Sequence, residues 1–314
     1  MSEILLLPYG FTAVLGRIDF TGMGGIEVGR RRFQTEADIE RAIRDGFGQG
    51  TGVDYKPWLR VRDVPSQGLS KKTLGVKVPR PYQLLSQNEH LYFLTLEFSR
   101  SVTDIREQYP LLPRSKAEEA AQLLGFTYPR YPGTSLNYVL TTDFLVTTVN
   151  ASGNQVISAR TVKEESAFDG GGAYRVSEKL EIERVFWEAQ GVEWKLVLKE
   201  TLFQTSFARN LAWLRKNAKI DRDLQNYALQ KKFIAELQNC VANEWTIEEG
   251  LRKVGRKIFV PFPDCKRLYQ NLLWNRKILI DLKAELISWS TQLPKFEVDS
   301  KLILAADQKI EMTA

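Results

Sequence analysis

Three side chains stand in an order that suits hydrolysis of a phosphodiester: Glu89, Asp143 and Lys163. Glu89 falls on an expected helix. Asp143 falls on the first strand of an expected hairpin, and Lys163 ends the second strand, in Thr161-Val162-Lys163. Two carboxylates offer the oxygen ligands that Mg²⁺ takes together with water, and the main-chain carbonyl of Val162 adds a further one. A cation held there acidifies water and screens the phosphate. Lys163 then orients or deprotonates that water, or offsets charge in the transition state. Residues two apart on a strand share a face, so Thr161 and Lys163 lie together and Val162 points away. In a chain that is 26% charged, one acid and one lysine at such spacing are common. A surface strand acid and a hairpin-edge lysine read the same way. Asp143, however, lies inside VLTTDFLV between apolar neighbours. An acid in a buried strand requires either a metal or an ion-pair partner.

The elements that must position these residues follow from periodicity. TEADIERAIRDGF (35–47) reads as a short helix capped by Thr35 with Asp38 three residues on, stopped at Gly46. The Gly-rich stretch after it is not a phosphate-binding Walker loop, since no Gly-Lys-Ser/Thr follows. Residues 66–80 read as a polar, basic loop. Apolar spacing predicts a helix over 81–98, carrying Glu89 and His90. A strand is expected over 101–112, where Arg106 suggests an ion pair for Glu107. A short helix is expected over 115–125, with Ser115 and Glu118 as its capping box. The strands 136–149 and 155–163 flank the turn NASGN. A flexible loop (164–174), an amphipathic helix (176–191) and a strand (193–198) complete a mixed sheet flanked by helices.

After about residue 205 the texture turns helical: 206–217, 221–241, 246–254 with a Thr246/Glu249 capping box, and 264–275. Two β-rich stretches follow, 277–282 and 301–306. Small helices followed by a β-ribbon are the layout of a winged helix. The chain thus divides into an N-terminal extension (1–35), an α/β domain (36–205) and a mostly helical domain (206–314).

Composition narrows the chemistry. The 314 residues allow two domains at about 150 residues each. A single histidine argues against His-dependent hydrolases and multi-His metal centres. Cys240 and Cys265 cannot build a disulfide framework or, with one His, a closed zinc site, which suits a reducing cytoplasm. No apolar run approaches the roughly 18 residues of a membrane span, and the opening MSEILLLPYGF does not read as a signal peptide. The net charge is +6 and is uneven: residues 211–314 hold 18 Lys+Arg against 13 Asp+Glu, and residues 1–210 hold 26 against 25. The excess clusters at Arg252, Lys253, Arg256, Lys257, Lys266 and Arg267. Such a surface suits a polyanion, and equally a solvated helix face.

GFGQGTGVDYKPWL (46–59), VRDVPSQG (61–68), REQYPLLP (106–113), TTDFL (141–145) and EKLEIERVFW (178–187) occur in order. Together they resemble the TnsA family, the 5′-strand endonuclease subunits of heteromeric cut-and-paste transposases. The resemblance runs across roughly 36–210. It implies a restriction-endonuclease-like PD-(D/E)XK core and a winged-helix-like C-terminal domain. It also implies metal-binding carboxylates at Glu89 and Asp143, a catalytic lysine at Lys163, and Mg²⁺, with Mn²⁺ as a substitute. The implied partners are transposon-end DNA, a 3′-cutting TnsB-like transposase, and a TnsC-like AAA+ regulator met through the C-terminal domain. One departure stands out. The position two before the lysine is usually Glu or Gln in that fold class, and here it is Thr161, a weak or water-mediated ligand. The competing expectation is therefore a catalytically degenerate fold that bridges the assembly. A stand-alone restriction or resolvase nuclease is a third.

Overall fold

Long runs of β-branched and aromatic residues build the central sheet. In the computed structural model, which describes residues 33–63 and 70–299, its strands are β3 (Val102–Pro110), β4 (Thr141–Val149), β5 (Gln155–Lys163) and β6 (Glu193–Leu198), in the order β3-β4-β5-β6. The first three pair antiparallel, and β6 joins β5 in parallel. A parallel neighbour needs a crossover, which α4 (Ala173–Glu188) supplies. The strand expected over 136–149 begins only at Thr141.

The sheet lies between two apolar layers. Phe144, Val146 and Val162 face α2 (Gln87–Phe98), while Leu145 and Ala159 face α3 (Arg114–Leu123) and α4. α3 starts at Arg114 with Pro113 as its N-cap and no side-chain cap, so the Ser115/Glu118 box does not form. Glu118 is engaged instead by Arg114 and by the side-chain amide of Asn137.

The 81–98 segment is not one helix. Pro81–Leu84 is β2, paired antiparallel with β1 (Lys71–Leu74) inside the stretch expected to be loop. Ser86 then caps α2, its Oγ accepting from Glu89 N at 3.1 Å while Glu89 Oε1 accepts from Ser86 Oγ at 3.1 Å. This reciprocal cap restarts the chain as a helix, which periodicity alone does not show.

The outer edge of β3 is covered by residues 47–58. Gly52 N donates to Asp104 Oδ2 (3.2 Å), Tyr55 OH to the Glu107 carbonyl (2.9 Å) and Trp58 N to the Gln108 carbonyl (3.1 Å). Gly48 has φ +75°, and a Cβ there would lie 2.2 Å from Pro110 Cγ, so this close approach requires glycine. The helix α1 (Glu36–Arg44), first among the described residues, carries the expected Thr35–Asp38 capping box.

The C-terminal part comprises α5 (Lys199–Phe203), α6 (Phe207–Leu214), α7 (Tyr227–Cys240), α8 (Ile247–Ile258) and α9 (Phe262–Trp274). α7 begins six residues later than expected, after an Asn226 cap. α8 has the Thr246/Glu249 capping box. The ribbon is reduced to two-residue strands, β7 (Ile278–Leu279) paired with β8 (Glu297–Val298). The expected strand at 301–306, like residues 1–32, lies outside the described residues. One apolar cluster runs from Phe144 through Phe93 and Leu94 of α2 to Leu211, Phe233, Leu251 and Leu268. Phe98, at the end of α2, meets Phe207 and Trp274 edge-on.

Candidate active site

The site forms where β4 and β5 part. Their ladder pairs residues from Val149↔Gln155 to Phe144↔Arg160. Past that point Asp143 Oδ2 accepts the Val162 N–H at 2.8 Å, so a side chain completes what the ladder leaves open. Asp143 Oδ2 also accepts from Lys163 Nζ at 3.3 Å, and Lys163 Nζ donates to the Val162 carbonyl at 3.1 Å. Burial pulls the Lys163 amine down, but the carboxylates of Asp143, Glu183 and Glu89 outweigh it and hold the group protonated, above its usual range.

Glu89 comes from the first turn of α2. Its Oε2 accepts from Leu85 N (2.8 Å) and from Gln108 Nε2 (3.1 Å). Burial, and then the facing charge of Asp143, push its carboxyl up to about 8. Two such acids share a pocket at neutral pH only with a proton or a cation between them. Gln108 is 2% exposed and adopts φ +50°, a left-handed conformation for a non-glycine residue. Its neighbours Glu107 and Tyr109 pair with Phe144 and Thr142, which places Gln108 across from Asp143. The Trp58 amide holds its carbonyl, and its own amide is thereby aimed at Glu89.

Thr161 turns toward α4, where its hydroxyl donates to the Glu183 carboxylate. Glu183 is 5% exposed. Burial raises its carboxyl to about 7, against the hydrogen bond from Thr161 and with a further push from Asp143. Beside it, Trp187 Nε1 donates to Thr142 Oγ1 at 2.5 Å. A carboxylate thus stands behind the hydroxyl where the strand itself lacks one.

The structure brings Glu89, Asp143, Val162 and Lys163 together, with Thr161 one residue away. Among the described residues no three His, Cys, Asp or Glu side chains are grouped to hold a metal. The donor set is two carboxylates and a carbonyl, all oxygen, with Glu89 and Asp143 close enough to repel. That fits a hard divalent cation that keeps water and phosphate as its other ligands.

The other residues singled out in the sequence lie outside the carboxylate cluster, and one expected ion pair does not form. Glu107 does not pair with Arg106. It is fully buried against Arg80, with contacts of 2.5 and 2.9 Å, and accepts from Gln83 N at 2.9 Å. Arg106 lies 3.5 Å from Asp104. The single histidine, His90, is half-buried and held to about 4 by burial and by the nearby Lys71 and Arg215 cations. Of the six C-terminal cations, Arg252 pairs with Glu248, Lys257 with Glu236, and Arg267 with Asp221 and Asp264. Lys266 and Arg252 lie over Phe262. Lys253 and Arg256 have no carboxylate partner among the described residues. None of the six belongs to the carboxylate cluster.

Two site residues escaped the sequence reading. Glu183 carried a signal: Leu180, Glu183 and Trp187 share one helical face, so an acid interrupts an apolar stripe. Gln108 carried none.

A protein-family model described as the N-terminal TnsA-like endonuclease matches residues 99–199. That span includes Asp143, Thr161, Lys163 and Glu183 and leaves out Glu89. The transposon Tn7 transposition protein TnsA of Escherichia coli is 38% identical over 180 residues, which cover 57% of this chain and 63% of that relative.

Proposed function

The chain belongs to the TnsA family through this nuclease-like α/β part, and from that premise we propose that it is a Mg²⁺-dependent DNA endonuclease. It cuts the 5′ strands at transposon ends in cut-and-paste transposition. The observation that carries this reading is the convergence of Glu89, Asp143 and Lys163 where β4 and β5 part. In this reading residues 36–205 are a restriction-endonuclease-like PD-(D/E)XK domain. Residues 206–314 are a winged-helix-like domain that meets DNA or a TnsC-like AAA+ regulator. A TnsB-like transposase cuts the 3′ strands. Buried α9 has little free face, which leaves Lys253 and Arg256 on α8 as the exposed members of that cluster without a carboxylate partner among the described residues.

Glu89, Asp143 and the Val162 carbonyl would hold the cation, with Mn²⁺ able to replace Mg²⁺. When bound, the cation supplies Lewis-acid activation of water and screening of the phosphate. The reaction adds water across the P–O3′ bond, giving a 5′-phosphate and a 3′-hydroxyl. Lys163, held protonated by its carboxylates, acts as a donor to water or phosphate oxygen rather than as a base. Gln108 and Leu85 N hold Glu89 Oε2, and the Ser86 hydroxyl donates to its Oε1, so both oxygens are fixed in place. Glu183 fixes Thr161 and places a carboxyl group behind the hydroxyl.

The test is strand cleavage of a transposon-end duplex with the partner transposase and Mg²⁺. Lys163→Met and Asp143→Asn are expected to slow 5′ cleavage by about 10²–10⁴-fold and leave 3′ cutting intact. Normal cutting by both variants would refute the site. A wild type that never cuts, while transposition proceeds through unresolved joined products, would establish the bridging role instead.

A further inference from the structure

The β5-α4-β6 unit fixes which α4 side chains face the site. β5 and β6 are parallel, so the intervening α4 runs antiparallel to β5 and packs against it. Thr161 and Glu183 pin the register. From there, two residues along β5 to Lys163 advance about 6.6 Å. Four residues back along α4 to Lys179 advance about 6 Å. Lys179 therefore stands beside Lys163, as Glu183 stands beside Thr161, and Lys163 and Arg175 are the cations that act on it electrostatically.

The charges on this face do not balance evenly. Lys163 has Asp143 at 3.3 Å. Arg175 is engaged by Glu178 and by the Thr127 carbonyl. Lys179 has neither an ion-pair nor a hydrogen-bond partner among the described residues. A cation set between two others without a counter-ion is unfavourable until an anion joins it. The strip Arg175, Lys179, Glu183 is a single i, i+4, i+8 face, and it leads outward from the carboxylates.

We propose that Lys179 binds a non-scissile phosphate of the cleaved DNA strand, next to the one attacked beside Lys163. This subsite rests on the endonuclease reading above. Lys179 then sets where the strand lies, and the chemistry stays with Glu89, Asp143 and Lys163.

The experiment compares full-length wild type with Lys179→Ala, Lys179→Arg and Lys179→Glu. Binding of a fluorescein-labelled transposon-end duplex and of a scrambled duplex is titrated with salt in EDTA. Single-turnover nicking against duplex concentration is measured with Mg²⁺ and the partner transposase. Lys179→Ala is expected to lower the slope of log affinity against log salt by about 0.9 on both duplexes. Between about 50 and about 200 mM salt the wild type then loses about three- to fourfold more affinity than the variant. In nicking, the half-saturating duplex concentration rises while the saturated rate holds. Lys179→Arg restores both readouts, and Lys179→Glu exceeds the alanine defect. An alanine variant with wild-type slope and wild-type half-saturation, alongside a wild type that nicks, overturns the subsite and leaves the endonuclease reading standing. If binding in EDTA is too weak to titrate, half-saturation in nicking decides alone. A wild type that does not nick with its partners overturns the endonuclease reading, and the subsite falls with it.

Discussion

Gln108 Nε2 donates to Glu89 Oε2 across 3.1 Å, from a backbone twisted to φ +50°. The two residues belong to different layers, and the bond ties the first turn of α2 to the strand position facing Asp143. A left-handed conformation costs a side-chain-bearing residue roughly 1–2 kcal/mol. Here the twist aims an amide at a carboxylate.

Replacing Gln108 separates that role from stability. Gln108→Gly removes the backbone strain together with the amide, so the melting temperature should stay near that of the wild type. Nicking should still fall about 10–100-fold, as when a group that orients a metal ligand is lost. Wild-type nicking by a folded Gln108→Gly protein would show that the amide does not position Glu89.

Stability should fall with rising pH in the metal-free protein. Glu89 and Glu183 are raised to about 8 and about 7 from 4.5, so the folded chain keeps protons that the unfolded chain has released. Their contribution is complete below about pH 4.5 and is lost as pH rises through 7 and 8. Thermal unfolding followed from pH 5 to 9 in EDTA should show a decline that Glu89→Gln and Glu183→Gln each flatten. A wild-type curve matching both variants would mean that the two carboxyls ionise normally.

The Glu107–Arg80 pair should be costly to break from one side. Arg80 is 5% exposed and lies 3.9 Å from the Tyr82 ring centre. Glu107→Ala should destabilise by about 3–5 kcal/mol, because a buried guanidinium loses its partner. Urea unfolding measures this, and Arg106→Ala serves as the contrast, since Arg106 does not pair with Glu107.

Asp143 should show a structural role apart from chemistry. Asp143→Ala leaves the Val162 N–H without its acceptor and should lose about 1–3 kcal/mol. Asp143→Asn keeps an acceptor oxygen and should unfold near the wild type, while both variants nick about 10²–10⁴-fold more slowly. Equal melting of the alanine variant and the wild type would mean that the Val162 N–H finds another acceptor.

Local pattern was enough for the parts of the fold that local physics controls. The β4–β5 hairpin, the α4 amphipathic stripe and the Thr35 and Thr246 capping boxes were all legible, since alternation, helical period and cap spacing act within a few residues. The acid–lysine pair on the hairpin was legible for the same reason, and Glu89 was named beside it as a second oxygen donor, a role that the family likeness also implied. The tertiary structure decided the remainder. It split 81–98 into a strand and a capped helix, because Pro81–Leu84 found a partner in Lys71–Leu74. It gave Glu107 to Arg80 rather than to adjacent Arg106, because neighbouring strand residues point to opposite faces. It set Gln108 against Glu89 and Glu183 behind Thr161, contacts 19 and 22 residues apart in the chain. Burial and strand register make such pairings, and no window of sequence contains both partners together with the water they exclude.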